Sequence, residues 1–337
     1  MRAVGFRQPL PISHPESLID FETDRPEPRG RDLLVEIKAI AVNPVDTKVR
    51  ARAQVPAGET RILGWDAAGV VAAVGSDVTL FKPGDEVYYA GTIVRPGTNA
   101  EFHLVDERIV GRKPKSLSFA EAAALPLTTI TAWELLFDRL LIPRDTGGKS
   151  GTLLIVGGAG GVGSIAIQLA RKLTSLTIIA TASRPETTAW CRELGAHHVI
   201  DHAKPMPAQL AELGFATADY IASLTGTEQH FDALVQMIAP QGKLGLIDDP
   251  KALDVIKLKS KSASLHWEAM FARSIYHTAD MIEQHRLLSE AASLVDQGVL
   301  RTTLAEIVGT INAANLKTAH ARLESGRARG KIVLEGF

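Results

Sequence analysis

Gly158, Gly160 and Gly163 stand at the spacing G-x-G-x-x-G inside the run Gly157-Gly-Ala-Gly-Gly-Val-Gly163. Glycines so spaced permit a tight turn, a close approach of the backbone to a pyrophosphate and close packing of helix on strand. Phosphates then meet the free N–H groups that open the following helix. The chemistry implied is dinucleotide binding, with Ala159, Gly161 and Val162 completing the phosphate-facing loop. About twenty residues beyond the last glycine an NAD site places a carboxylate for the ribose hydroxyls. This chain has Ser183-Arg184-Pro185 there. A hydroxyl and a guanidinium suit a 2′-phosphate through charge and paired donors, so NADPH is expected over NADH. The plainer reading of Arg184 is a solvated loop residue.

Such a loop needs a strand before it and a helix after it. The uncharged run Thr152–Val156 supplies the first, and Ser164–Ala170 supplies the second. From about Phe119 to about Ser260 helical and strand patterns alternate, with apolar strands at Leu153–Val156, Ile178–Thr181, Tyr220–Ser223 and Lys243–Ile247. That alternation predicts a doubly wound parallel sheet. Ser223 and Ile247 end two of these strands, and strand ends of this kind border a cofactor. Before residue 120 the pattern is instead strand-like and rich in turns, with runs at Leu33–Val42, Ala68–Val74 and Asp85–Tyr89. After the alternating region come a helix at Ala279–Gln297, with Met281, Leu288, Ala292 and Val295 on its core face, and a final strand at Gly330–Leu334. That last strand is short and follows a long helical region, so it is expected to return to the first unit. The predicted architecture is α/β, a nucleotide domain inserted into a split β-rich domain, with the active site in the cleft between them.

Composition bounds the partners. A chain of 337 residues with 45% apolar content can fill two cores. Its net charge of -1, with acids and bases interspersed, offers no basic field for nucleic acid or an anionic membrane. The single cysteine, Cys191, excludes an internal disulfide framework and a thiolate-cluster metal site. A cytoplasmic protein acting on a small metabolite is the expectation. Arg2, Arg7, Pro9 and Pro11 interrupt any signal-peptide core, and the dense glycines of the uncharged stretch 152–170 argue against a membrane span.

Several separated motifs together resemble the medium-chain dehydrogenase/reductase superfamily, in its zinc-free branch of quinone oxidoreductases and zinc-type alcohol dehydrogenase-like proteins. They are Asn43-Pro-Val-Asp46, the run Gly64–Gly75, Phe81–Val87, Ala100-Glu-Phe102, Leu125–Ala132, the glycine run and Gly330-Lys-Ile-Val333. The resemblance implies a GroES-like catalytic domain at 1–122 and 266–337, a Rossmann NADPH-binding domain at 123–265, and a homodimer or homotetramer. Zinc members of the family place a cysteine at the position of Asn43 and a His-Glu pair at Trp65-Asp66, so no zinc is expected here.

A metal lowers the pKa of a bound oxygen by several units, roughly from 15.7 to about 7 for water. Without it a simple ketone lacks its electrophile, whereas a quinone or an enone spreads the incoming charge itself. The resemblance makes Asn43, Asp46, Trp65 and Tyr89 the catalytic candidates. Asn43 would donate to an acceptor carbonyl, with Asp46 as either proton donor or turn residue, and Trp65 as an apolar wall for a flat acceptor. One phenol of Tyr88 and Tyr89 would line the cleft while the other faces the core. Thr131 would approach the nicotinamide ribose, and Lys331 would reach the cofactor phosphates or lie on the surface. His197, His198 and His202 are read as solvated or adenosine-side groups rather than a metal site. The segments 51–61 and 267–276, with Trp267, Met270, Phe271 and Tyr276, are the candidates for acceptor choice. The leading function is NADPH-dependent quinone reduction; enone reduction and a non-catalytic NADPH-binding sensor or structural role are the alternatives.

Overall fold

A computed structural model describes residues 1–144 and 151–337. The chain divides into two compact units, Met1–Ile130 with Phe271–Phe337, and Thr131–Met270.

The first unit is antiparallel in the main. Its strands are β1 (Arg2–Phe6), β2 (Ile19–Glu22), β3 (Asp32–Val42), β4 (Arg61–Ile62), β5 (Asp66–Val74), β6 (Glu86–Tyr89), β7 (Phe102–Asp106) and β8 (Val110–Arg112). The second unit follows with β9 (Thr152–Val156), β10 (Thr177–Thr181), β11 (His198–Ile200), β12 (Ala218–Ser223), β13 (Ile238–Leu246) and β14 (Ser264–Trp267), and the chain then returns to the first with β15 (Leu304–Gly309) and β16 (Lys331–Glu335). The main sheet of the first unit runs β15-β16-β3-β5-β6-β8, with β7 also on β3. As the sequence predicts, β16 returns to this unit and lies antiparallel to β3, Ile332 opposite Val42. Because β3 pairs with β5, β7 and β16, it is buried almost throughout and loses the alternation of a half-exposed strand.

Helix α1 (Pro44–Arg52) starts directly after β3, and α2 (Phe119–Ala123) opens on a Ser118–Glu121 capping box and packs on β3 and β5. Helix α3 (Pro126–Trp133) carries the chain from one unit into the other. The boundaries lie at 130/131 and 270/271, not at the expected 122/123 and 265/266. The reason is that α2 belongs to the first unit's packing, while β14 is the last strand of the second unit's sheet.

That second sheet is wholly parallel, in the order β11-β10-β9-β12-β13-β14. The order reverses direction between β9 and β12, the switch point at which doubly wound sheets hold nucleotides. All five residues of β9 are buried, as a parallel strand covered on both faces requires. Helices α4 (Gly161–Leu173), α5 (Pro185–Glu193), α6 (Met206–Glu212) and α7 (Thr227–Met237) make the crossovers. In the returning part of the first unit are α8 (Ala272–Tyr276), α9 (Glu283–Asp296) and α10 (Ala313–Glu324). Among the described residues no helix is long and apolar enough to cross a membrane.

Tyr88 and Tyr89 correct the expectation that one of them faces outward, since both are fully buried. Strand β6 is covered on both faces: the Tyr88 hydroxyl donates to Leu288 O on α9 at 2.6 Å, and Tyr89 stacks on His103. Tyr88→Phe removes this buried hydrogen bond and is expected to cost about 1–2 kcal/mol, read as a lower midpoint in chemical denaturation. An unchanged midpoint contradicts this packing.

Candidate functional site

In the first unit, residues far apart in sequence converge on one buried carboxylate, Asp66. Its Oδ2 accepts Lys331 Nζ and Asn43 Nδ2, each at 2.8 Å, and its Oδ1 accepts the Leu127 N–H at 2.7 Å. Lys331 donates its remaining hydrogens to Val42 O at 2.9 Å and to Asn43 Oδ1. Asn43, Asp66 and Lys331 are at most 3% exposed. A buried ion pair stands only when its other lone pairs and hydrogens are met, and here all three ammonium hydrogens and both carboxylate oxygens have partners.

Two expectations change in consequence. Lys331 is neither on the surface nor available to phosphates, because its three hydrogens are engaged within the unit. Asn43 has no hydrogen left for an acceptor carbonyl, since its amide donates to Asp66 and to Ala41 O at 3.3 Å while its oxygen takes Lys331. Asn43 therefore holds the cluster together. Asp66 is the residue the sequence reading passed over. Its signal was a lone acid opening an otherwise apolar strand.

Asp46 completes the cluster by accepting the Asn43 N–H at Oδ2, 2.5 Å away. Burial pushes its carboxyl up to about 7, with nearby Asp66 adding to the rise and Lys331 and the Asn43 and Gly64 amides opposing it. Its Oδ1 is buried without a hydrogen-bond partner. The group therefore holds a proton close to neutral pH.

Trp65 is fully enclosed and offers no open wall. Its Nε1 donates to Thr92 O at 3.1 Å, and its ring meets Phe271 edge-on at 6.0 Å. Tyr89 is likewise occupied, its hydroxyl 3.0 Å from His103 Nδ1, while His103 Nε2 meets Pro96 O at 3.0 Å. Burial lowers His103 to about 4, so the imidazole is neutral. Of the candidates for acceptor choice, Met270 and Phe271 are buried, and Trp267 and Tyr276 are exposed.

In the second unit the glycine loop has the form the sequence predicts. Gly157 adopts φ +82°, which favours glycine. A Cβ on Gly163 would lie 2.6 Å from Gly158 O and closer still to Gly157 O, so the start of α4 sits directly on the loop. Gly160 differs, because a Cβ there would meet only Gly157 O, at an ordinary 3.5 Å. Its missing side chain serves no protein contact, which fits a backbone left open for a pyrophosphate at the N-terminus of α4. Ala159 is buried, while Gly161 and Val162 are half-buried in the first turn.

Thr181, the last residue of β10, ties the loop down by taking the Gly157 N–H at Oγ1, 3.0 Å, and the Gly158 N–H at its carbonyl, 3.1 Å. Ser183 beyond it is exposed, and Arg184 precedes α5 with Nε 3.1 Å from Glu186. Ser223 is fully buried, its hydroxyl 2.8 Å from Thr227 Oγ1 and its carbonyl accepting the Ile247 N–H at 3.4 Å. Ile247 is half-buried at the end of β13, and Thr131 is buried on α3. Thus the loop, Thr181, Ser183, Arg184, Ser223 and Ile247 share the carboxyl edge of one sheet, whereas Lys331 belongs to the other unit.

No group of three or more His, Cys, Asp or Glu suited to a metal occurs among the described residues. Asn43 and Asp66, two of the positions where the family resemblance puts zinc-ligand motifs, are bonded to each other and to Lys331, a set of groups that does not fit tetrahedral zinc. His197 Nδ1 accepts the Ile178 N–H, and His202 Nδ1 lies 3.1 Å from Thr181 Oγ1.

A further buried acid lies just past β14. Glu268 receives Arg139 Nε at 2.9 Å, and burial followed by repulsion from Glu134 pushes its carboxyl well above the usual range.

Residues 29–128 match the alcohol dehydrogenase GroES-like domain, and residues 194–334 match a domain family described as zinc-binding dehydrogenase. A zinc-type alcohol dehydrogenase-like protein of Staphylococcus aureus (strain MSSA476) is 40% identical over 99% of both chains. Among solved structures, a putative zinc-dependent alcohol dehydrogenase protein from Rhizobium etli CFN 42 is 59% identical, with a TM-score of 0.97 over 100% of this chain and 98% of that one. The quinone oxidoreductase from Coxiella burnetii is 27% identical, with a TM-score of 0.80 over 100% and 99%.

Two outcomes follow from the buried charges. Lys331→Met strands the Asp66 carboxylate and is expected to cost about 3–5 kcal/mol in denaturant unfolding, with Asp66→Asn in the same chain recovering part of it. No recovery in the double variant contradicts the pairing. Because Glu268 binds its proton more tightly folded than unfolded, its contribution is full at acid pH and falls as pH rises from about 5 through neutral. Glu268→Gln is expected to gain stability relative to the native protein at pH 8 over pH 5, measured as paired melting curves; equal shifts at both pH values contradict it.

Proposed function

Since the chain belongs to the medium-chain dehydrogenase/reductase superfamily and is an oxidoreductase of that family, we propose that it is an NADPH-dependent reductase passing hydride to a quinone without zinc. The observation that carries this reading is the saturated Lys331–Asp66–Asn43 network at the position of the zinc ligands. A site closed in this way offers no electrophile for the alkoxide of a simple ketone. It suits an acceptor that delocalises charge over its own ring. The quinone oxidoreductase from Coxiella burnetii, which shares the fold, supports the choice of acceptor.

When bound, NADPH supplies a hydride from nicotinamide C4. The chain's own residues bind and orient. The open Gly160 backbone and the N-terminus of α4 receive the pyrophosphate, while Ser183 and Arg184 receive the 2′-phosphate. Asp46, its carboxyl raised to about 7 by burial, exchanges a proton near neutral pH, and Asn43 is fixed by Lys331 and Asp66 as a positioning residue. The small-molecule reaction takes place in a cytoplasmic homodimer or homotetramer.

Oxidation of NADPH and of NADH, followed with ortho- and para-quinones, an enone and a simple ketone, with and without chelator, tests the reading. Chelator-insensitive quinone turnover is expected, with NADPH favoured on the order of tenfold. Turnover with the enone alone reassigns the acceptor, and loss of activity on chelation contradicts the proposal.

A further inference from the structure

We infer that His320 is a proton-sensitive latch, which holds α10 against α1 while its imidazole is neutral and lets the two helices part when the ring takes a proton. Helix α10 buries Ala313, Leu316, Ala319 and His320, and the α1 helix packed on it buries Asp46 and Arg50. His320 is fully buried, and among the described residues neither Nδ1 nor Nε2 has a hydrogen-bond partner. Arg50 is anchored without it, since its guanidinium donates to Leu10 O and to Glu324 while its Nε stays unpartnered. A neutral imidazole there forgoes one donor and one acceptor. An imidazolium would add a second idle donor and a charge close to a guanidinium, which is far more costly.

The charged groups on the surrounding elements are engaged elsewhere. On α10 itself Glu324 is taken by Arg50, Arg322 pairs with Glu306 of β15, and Lys317 Nζ donates to Pro15 O at 2.8 Å. Asp20 accepts the Ala313 N–H at 2.9 Å, at the start of the helix. On α1, Asp46 accepts the Asn43 N–H, and Lys48 and Arg52, each two positions from a buried residue, lie on the opposite face. On β16, Lys331 is held by Asp66 and Glu335 is exposed. Burial first, and then the Arg50 charge, lower His320 from 6.5 to about 3. Because the folded value lies below the unfolded one, the stability this residue lends is full above 6.5 and is lost as pH falls toward the folded value. The latch bears on the cluster around Asp66. Helix α1 opens with Asn43 as its cap and Asp46 in its first turn, and α10 leads into β16, which begins with Lys331. The same two segments are thus joined twice, by Lys331 to Asn43 at one end and by α10 to Arg50 at the other. Opening the second junction loosens the support of the first.

Hydrogen exchange read by mass spectrometry at pH 7 and pH 5, corrected for the intrinsic exchange rate, tests the latch with no cofactor or acceptor required. The native chain is compared with His320→Phe, which keeps a buried ring and removes its titration. The two proton affinities set the expected size: the open population of α1 and α10 rises about 25-fold from pH 7 to pH 5 in the native protein. His320→Phe is expected to lose most of that rise, while β9 and β10 of the second unit behave alike in the two proteins. The same pH dependence of α1 and α10 in both proteins overturns the latch, and so does a difference spread equally over both units. Should His320→Phe melt early at pH 7, His320→Leu repeats the comparison. The native imidazole, assigned by the proton resonance missing in either variant, is expected to be neutral at pH 5; a charged ring at that pH overturns the latch.

Discussion

The ion pair between Lys331 and Asp66 is the constraint on which the first unit's candidate site depends. The two residues are 265 positions apart, and both are removed from water. An uncompensated charge in such surroundings costs several kcal/mol, so the cluster is stable only as a whole. Satisfying it draws together the end of β3, the starts of β16 and β5, and the first turns of α1 and α3. The geometry of Asn43 and Asp46 is thus a consequence of burying one ammonium. A metal ion would organise the same strand ends by coordination; here hydrogen bonds from lysine, asparagine and the Leu127 amide do so.

The second unit reaches its site by the opposite route, the removal of side chains. Gly157 turns the chain, Gly163 lets α4 approach, and Gly160 leaves backbone open. Thr181 then uses its hydroxyl and carbonyl to hold the loop to the neighbouring strand. In the proposed reading the cofactor's phosphates would meet these backbone amides and the donors after β10. One unit is ordered by a buried charge and the other by bare backbone.

This difference explains what was legible in the sequence. The glycine loop, its flanking strand and helix, and the parallel sheet were readable because they depend on local spacing and apolar runs. The return of β16 was readable from its length and place. By contrast, the roles of Asn43, Trp65, Tyr88, Tyr89 and Lys331 depend on partners dozens to hundreds of residues away. A lysine near a C-terminus reads as solvated until Val42, Asn43 and Asp66 are seen around it. Adjacent strand tyrosines read as one in and one out until α9 and His103 are seen covering both faces. Trp65 was expected as a wall because only its neighbours Thr92 and Phe271 reveal it as core.

In the proposed zinc-free reading, the ammonium of Lys331 takes the place of a metal beside Asp66. The most direct measurement is the zinc content per chain of protein produced with zinc supplied and then dialysed, for the native chain beside Asp66→Asn. Far less than one zinc per chain is expected in both. Stoichiometric zinc in the native protein that is lost in Asp66→Asn would contradict it.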